Sequence, residues 1–334
     1  MHRIALSGLI ALAAVLGSTM PAAAASTPSS TPVSAALVLS GRISCGSPKS
    51  CLAVGATLRS SNTSTIVNAW NGTTWKSFTV HAPKGASFVG LSGVSCKSRA
   101  YCLLAGDYVT SPQSGAFRPF ALTWNGTSLR RAPAPPLPKG VTNATLNSVS
   151  CVAVRSCVAV GTLYASTIRT LVETWNGTKW TLHTPPDPAG TMLVQTNSVS
   201  CLSLTRCVLA GVTVSAATAN TGVFIASWNG KTLKRQKVPL PAGASNPILA
   251  DVSCASAARC AAVGDEINVS SPSAVVTGFA FTEVWNGAAW HVTKIARPKG
   301  ITVDLLFGVS CTSARHCVAT GGAGTASTGH ATAL

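Results

Sequence analysis

Hydrolysis of a sugar polymer needs two carboxyl groups on opposite sides of the bond to be cut, and this chain has few from which to build such a pair. Its 334 residues contain eight acidic side chains: Asp107, Glu173, Asp187, Asp251, Asp265, Glu266, Glu283 and Asp304. Asp107 and Asp265 hold equivalent places, each just after an Ala-Gly or Val-Gly step in an apolar run, and Glu266 adjoins the second. They are the best acidic cluster in the sequence. The alternative is that they are solvated residues where loops begin. His81, His183 and His291 follow Trp-Asn-Gly words at offsets of 11, 8 and 6 residues from the Trp, so they are not expected to meet at one metal ion. No Gly-x-Ser-x-Gly, His-Glu-x-x-His or phosphate-binding loop occurs. No catalytic residue, cofactor or metal site is therefore assigned.

The twelve cysteines carry a clearer message. They form six Cys-x5-Cys words: Cys45 with Cys51, Cys96 with Cys102, Cys151 with Cys157, Cys201 with Cys207, Cys254 with Cys260 and Cys311 with Cys317. Five intervening residues suit a bridge between the two strands of a hairpin. Zinc binding is the alternative, but the spacing is poor for it without further ligands, and only the last word encloses a histidine, His316. Six disulfides are expected, and with them an oxidising compartment.

Each word also encloses a cation. Lys49, Lys97 with Arg99, Arg155, Arg206, Arg259 and Arg315 lie between paired cysteines. The whole chain has 25 Lys and Arg against 8 Asp and Glu, a net charge of +17. That balance suits an anionic partner, and Lys49, Arg99, Arg155, Arg206, Arg259 and Arg315 are the anion-binding candidates. The alternative is that cations at loop tips only keep a basic protein soluble.

These loops need a scaffold that presents them together. Successive first cysteines are 51, 55, 50, 53 and 57 residues apart. Between them recurs Trp-Asn-Gly, beginning at Trp70, Trp124, Trp175, Trp228 and Trp285, so the two words alternate. Residues 146–186 read as four short strands, "LNSVSC", "CVAVGTLYA", "IRTLVETW" and "KWTLHT", before the breaker "PPDPAG". The second strands, such as "CVAVG" and "CLLAG", are apolar on both faces, as in a sheet covered on both sides. Asn-Gly between strands predicts a type I′ hairpin, with positive φ at both residues. The flanking Trp residues are read as clasps that pack on a neighbouring unit, and as a sugar platform only in the alternative.

A period near 50 residues with four strands per unit predicts an all-β fold, a β-propeller of six blades with one disulfide in each. The ends leave choices open. The last unit lacks a fourth strand, which "PVSAALVLS" ahead of Cys45 is expected to supply. A five-bladed ring with an extra hairpin, or an open ring, is the alternative.

The first 25 residues, "MHRIALSGLIALAAVLGSTMPAAAA", read as a secretory signal, with a basic start, a short apolar run and small residues at the cleavage end. The expected organisation is therefore a signal at 1–25, an N-terminal linker or closing strand at 26–39 and the repeat domain at 40–334. No membrane span is expected after cleavage.

The words "VSC-x5-C-x-A-V-G" and "W-N-G-x-x-W" resemble those of uncharacterised secreted repeat proteins of actinobacteria, over residues 40 to about 320. More distantly, "NGTTW", "NGTKW" and "NGAAW" resemble the end of the Asp-box hairpin of sialidase-like propellers, without its leading Ser-x-Asp. That resemblance implies the hairpin position and not the activity. A sialidase-like site would also require clustered arginines with a tyrosine and a glutamate, and Tyr101, Tyr108 and Tyr164 stand in no such setting.

The functional expectation is a secreted, extracellular or wall-associated propeller that binds or scaffolds without catalysis. Its partner would be an anionic polymer or glycan, or a protein. Nucleic acid is disfavoured because aromatics are not interleaved with the basic loops, and a monomer is expected. A carbohydrate-active enzyme and a purely structural wall component are the alternatives.

Overall fold

The computed structural model describes residues 37–59, 62–110, 115–268, 277–297, 299–324 and 331–333. The expected signal at 1–25, the stretch 26–36, and most of the loop "INVSSPSAVVTG" lie outside the described residues. All regular structure within them is β, as predicted from Gly/Pro punctuation and β-branched runs. The chain forms six consecutive antiparallel meanders, over 37–79, 88–131, 144–183, 191–235, 247–294 and 303–333. These are the blades of a β-propeller.

Blade 3 follows the sequence reading closely. Its strands are Ala144–Ala153, Ser156–Tyr164, Ile168–Trp175 and Trp180–His183. The second strand is buried along nearly its whole length, because each of its faces meets another blade. Leu171, Ala159 and Trp175 pack on blade 2, whereas Val158, Val160 and Val172 pack on blade 4. One apolar cluster fills each of the five successive interfaces between blades.

Two repeated letters gain a physical meaning here. In blades 1 to 5 the Ser of the Ser-Cys step accepts a hydrogen bond from the Cys backbone N–H of the next blade. Ser44 with Cys96, Ser95 with Cys151, Ser150 with Cys201, Ser200 with Cys254 and Ser253 with Cys311 span 2.9 to 3.0 Å. This ladder satisfies backbone donors that the sheets leave unpaired. The Gly of Ala-Val-Gly faces a bulge in the first strand. A Cβ at Gly161 would lie 1.8 Å from the Thr145 carbonyl oxygen, so only glycine lets the strands close.

The Trp-Asn-Gly hairpin departs from the type I′ expectation. Trp175 pairs with Trp180, so the loop has four residues and not two. Only Gly177 takes positive φ, at 97°. Asn176 instead uses its side chain: Oδ1 accepts from the N–H of Thr178 at 3.0 Å and of Lys179 at 2.8 Å. Asn is thus chosen as an internal cap and Gly for its backbone. Asn176→Ala is expected to cost about 1 kcal/mol. Gly177→Ala should cost more, because its Cβ would also sit 2.5 Å from Arg155 Cβ. Urea midpoints of the two variants check this order.

Among the described residues the ring stays open at one seam. The first strands of blades 1 to 6 pack in succession, but that of blade 6 does not pack on that of blade 1 in the same way. Ile43 on blade 1 is 61% exposed, and Phe307 and Val318 on blade 6 are 44% and 68% exposed. Of the expected closing strand, residues 32–36 lie outside the described residues; from residue 37 the chain pairs with Ser50–Arg59, as the strand Leu37–Ser47 that opens blade 1. Blade 6 has three strands among the described residues. Arg42 crosses from blade 1 to the Asp251 carboxylate and to the Ala250 carbonyl of blade 5. Asp251 also accepts from Ser198 Oγ at 2.5 Å and from the Val309 N–H at 2.9 Å. One carboxylate therefore joins blades 4, 5, 6 and 1.

Candidate functional site

A meander places its first and third turns at the same end. All six expected disulfides form, each closing the hairpin between a first and a second strand. They link Cys45 to Cys51, Cys96 to Cys102, Cys151 to Cys157, Cys201 to Cys207, Cys254 to Cys260 and Cys311 to Cys317. In every pair the two cysteines stand directly opposite each other in the strand register, which rules out thiolate zinc ligation.

The cysteines serve the scaffold, as expected. Cys51, Cys102, Cys157, Cys207 and Cys260, the second members of the first five pairs, are buried. Cys102 packs in the apolar cluster between blades 1 and 2, and Cys51 adjoins Leu52 of that same cluster. The cause is position, since the second strand is the one covered on both faces by neighbouring blades. What the bridges contribute to a site is the fixed direction of the loops they close.

The Trp-Asn-Gly turns lie beside these hairpins: Gly72 meets Lys49, Gly126 meets Ala100, Gly177 meets Arg155, Gly230 meets Thr205 and Gly287 meets Ala258. Lys49, Arg99, Arg155, Arg206, Arg259 and Arg315 thus occupy hairpin tips at one end, and all six are exposed. The ion pairs among the described residues, Arg42–Asp251, Arg169–Asp187 and Arg297–Asp304, involve none of them.

Asp265 shares its surroundings with Glu266 and Asp304 rather than with Asp107. Burial, together with the charges of Glu266 and Asp304, pushes the Asp265 carboxyl up to about 7. Asp107 is pushed to about 7 by burial alone. Glu266 is fully buried and accepts from the Ser245 and Asn246 N–H groups and from Ser245 Oγ, at 2.8 to 2.9 Å. It anchors the linker between blades 4 and 5. Asp304 accepts from the Ala280 N–H at 3.0 Å and from Arg297 Nε at 2.6 Å.

Two carboxyls occupy unexpected places. Glu173 and Glu283 stand two residues before the third-strand Trp of blades 3 and 5, opposite Ala159 and Ala262. Both are 0% exposed, and neither carboxyl has a hydrogen-bond partner. Burial raises each to about 8.

Two of the three histidines that follow Trp-Asn-Gly words have local partners. His183 meets Thr174 Oγ1 at 3.0 Å and packs edge-on to Trp228, while His291 meets Asn286 at 2.8 Å.

The clasp reading of Trp describes most interfaces. Trp175 Nε1–H donates to Tyr101 Oη at 2.9 Å, and Trp180 Nε1–H to the Pro133 carbonyl at 3.0 Å, both on the blade 2 side. Trp124, Trp175 and Trp228 are buried. Trp285 differs. Tyr101, just before the second cysteine of blade 2, covers Trp175; the equivalent residue of blade 4 is Arg206. An open cleft of about 150 Å³ remains between blades 4 and 5, lined by Arg206, Gln236, Ser256, Trp285 and Trp290 among others. The residue before the second cysteine was the available sequence signal: Tyr101, Ser156, Arg206 and Arg259 differ inside an otherwise regular word.

This geometry defines a β-propeller with a cationic hairpin-tip end. Several solved structures are similar to the chain, one of them with a TM-score above 0.5. A protein of unknown function from Dyadobacter fermentans is 10% identical with a TM-score of 0.58, over 88% of this chain and 92% of that one. YCF48 bound to D1 peptide is 12% identical with a TM-score of 0.47, over 86% and 75%. YjhT is 11% identical with a TM-score of 0.46, over 88% and 96%. At such identities the likeness concerns fold alone. No protein-family model and no curated protein matches the chain. The disulfides indicate an oxidising environment, and among the described residues no helix is long and apolar enough to cross a membrane.

Proposed function

We propose that this is a secreted propeller that binds an anionic extracellular or wall-bound polymer at its hairpin-tip end, without catalysis. The observation that carries the reading is the set of six exposed cations at one end, none of them in the ion pairs of the described residues. The guanidinium groups of the five arginines among them suit carboxylate or phosphate. Long-range attraction from a net charge of +17 adds to this.

The test is binding of the purified protein to isolated cell walls and to soluble anionic and neutral polymers at low and high salt. Retention on anionic polymers that weakens with salt is expected, because exposed charges are screened. Salt-insensitive binding to a neutral glycan would place the site elsewhere.

A further inference from the structure

We propose that the cleft between blades 4 and 5 seats one uronic-acid residue of that polymer, its ring against Trp285 and its carboxylate on Arg206. The inference rests on the anionic-polymer reading and adds a subsite to it. Four observations meet in the cleft. Trp285 is partly exposed, as is Trp70 of blade 1, whereas Trp124, Trp175 and Trp228 are 5%, 2% and 1% exposed. Its ring is fixed rather than loose: Nε1–H donates to the Ala257 carbonyl at 3.1 Å, and the ring lies 5.7 Å from that of Trp290. Trp290 Nε1–H donates to Gln236 Oε1, which turns the Gln236 amide NH2 into a remaining donor. Arg206 lines the same cleft, and no carboxylate does.

An aromatic face, a guanidinium, an amide donor and the Ser256 hydroxyl match a pyranose that carries a carboxylate. The C–H face of the sugar covers the indole, the hydroxyls meet Gln236 and Ser256, and the carboxylate pairs with Arg206. A polyphosphate satisfies only the arginine. The cleft between blades 5 and 6 provides the internal contrast. Arg259 stands at its edge, but alanines, valines and cysteines make up most of its wall, and it has no tryptophan.

Calorimetric titration of the purified protein with trigalacturonate and with tripolyphosphate separates the two claims. Wild type is expected to bind both, and only trigalacturonate should shift the tryptophan emission. Trp285→Ala should weaken trigalacturonate roughly tenfold, the order of one lost aromatic stacking contact, and leave tripolyphosphate unchanged. Arg206→Gln should weaken both. Trp285→Phe, which keeps a ring, should fall between wild type and Trp285→Ala and serves if the alanine variant does not fold. Unchanged trigalacturonate affinity in these Trp285 variants, with tripolyphosphate still bound, overturns the cleft and leaves the basic end standing. Wild type binding neither anion overturns the basic end itself.

Discussion

Raising the pH from about 5 to about 8 is expected to destabilise this protein. The cause is carboxyls buried without partners. Glu173 and Glu283 are held near 8, and Asp107 and Asp265 near 7. In the unfolded chain all four titrate at the ordinary carboxylate value of about 4. Between these limits the unfolded state binds fewer protons than the folded state, so stability falls as pH rises. The penalty is absent below the unfolded value and complete above the folded one. For the two glutamates it amounts to roughly several kcal/mol together. The other blades show what would remove it. The place of Glu173 is held by Leu122 in blade 2 and by Ala226 in blade 4. The double variant Glu173→Leu, Glu283→Leu should be more stable than wild type at pH about 8. It should also lose most of the pH slope, keeping the part due to Asp107 and Asp265. Urea denaturation across this range measures the slope, and stability that climbs with pH in wild type contradicts the assignment.

Reduction should unfold the protein, beginning at the seam. Each disulfide links cysteines six positions apart. The chain-entropy relation gives about 2 kcal/mol for a loop of that size. Six of them approach the whole net stability of a typical domain, roughly 5–15 kcal/mol. Accessibility sets the order. Cys45 and Cys317 are exposed where blades 1 and 6 leave the ring open, whereas Cys102, Cys157 and Cys207 are 2%, 0% and 2% exposed. Cys51 is itself buried, so reductant reaches its bridge through Cys45. Partial reduction followed by alkylation and peptide mass mapping should label Cys45 with Cys51, and Cys311 with Cys317, before Cys96 with Cys102 and the inner pairs. Twelve free thiols before any reductant, or an unchanged melting temperature after full reduction, would contradict this.

The strand pattern was legible because it is local. Alternation, Cys spacing and Gly/Pro punctuation place the third strand of blade 3 at Ile168–Trp175, and the structure has it there. The Asn-Gly turn was legible only in part. Its position is local, but its type depends on Trp175 pairing with Trp180, which leaves four residues in the loop. The end of the expected closing strand, "LVLS", reads equally well as an outer strand of blade 6 or an inner strand of blade 1. Pairing with Ser50–Arg59 decided for the latter. What sequence reasoning missed lies between blades. Glu173 reads as an ordinary polar position in "LVETW", and only the stacking of neighbouring blades on blade 3 buries it. The cleft beside Trp285 likewise follows from Arg206 standing on blade 4 where Tyr101 stands on blade 2, a difference whose effect falls on the next blade.

The most direct test of the cationic end is the salt dependence of affinity for a soluble anionic polymer, measured for wild type and for Arg155→Gln/Arg206→Gln/Arg259→Gln. All three side chains are exposed at hairpin tips, so the variant should fold as wild type does. The account predicts that affinity for the polymer falls with salt in wild type, and that the triple variant binds more weakly with a shallower slope. An unchanged affinity and slope in the triple variant would contradict it.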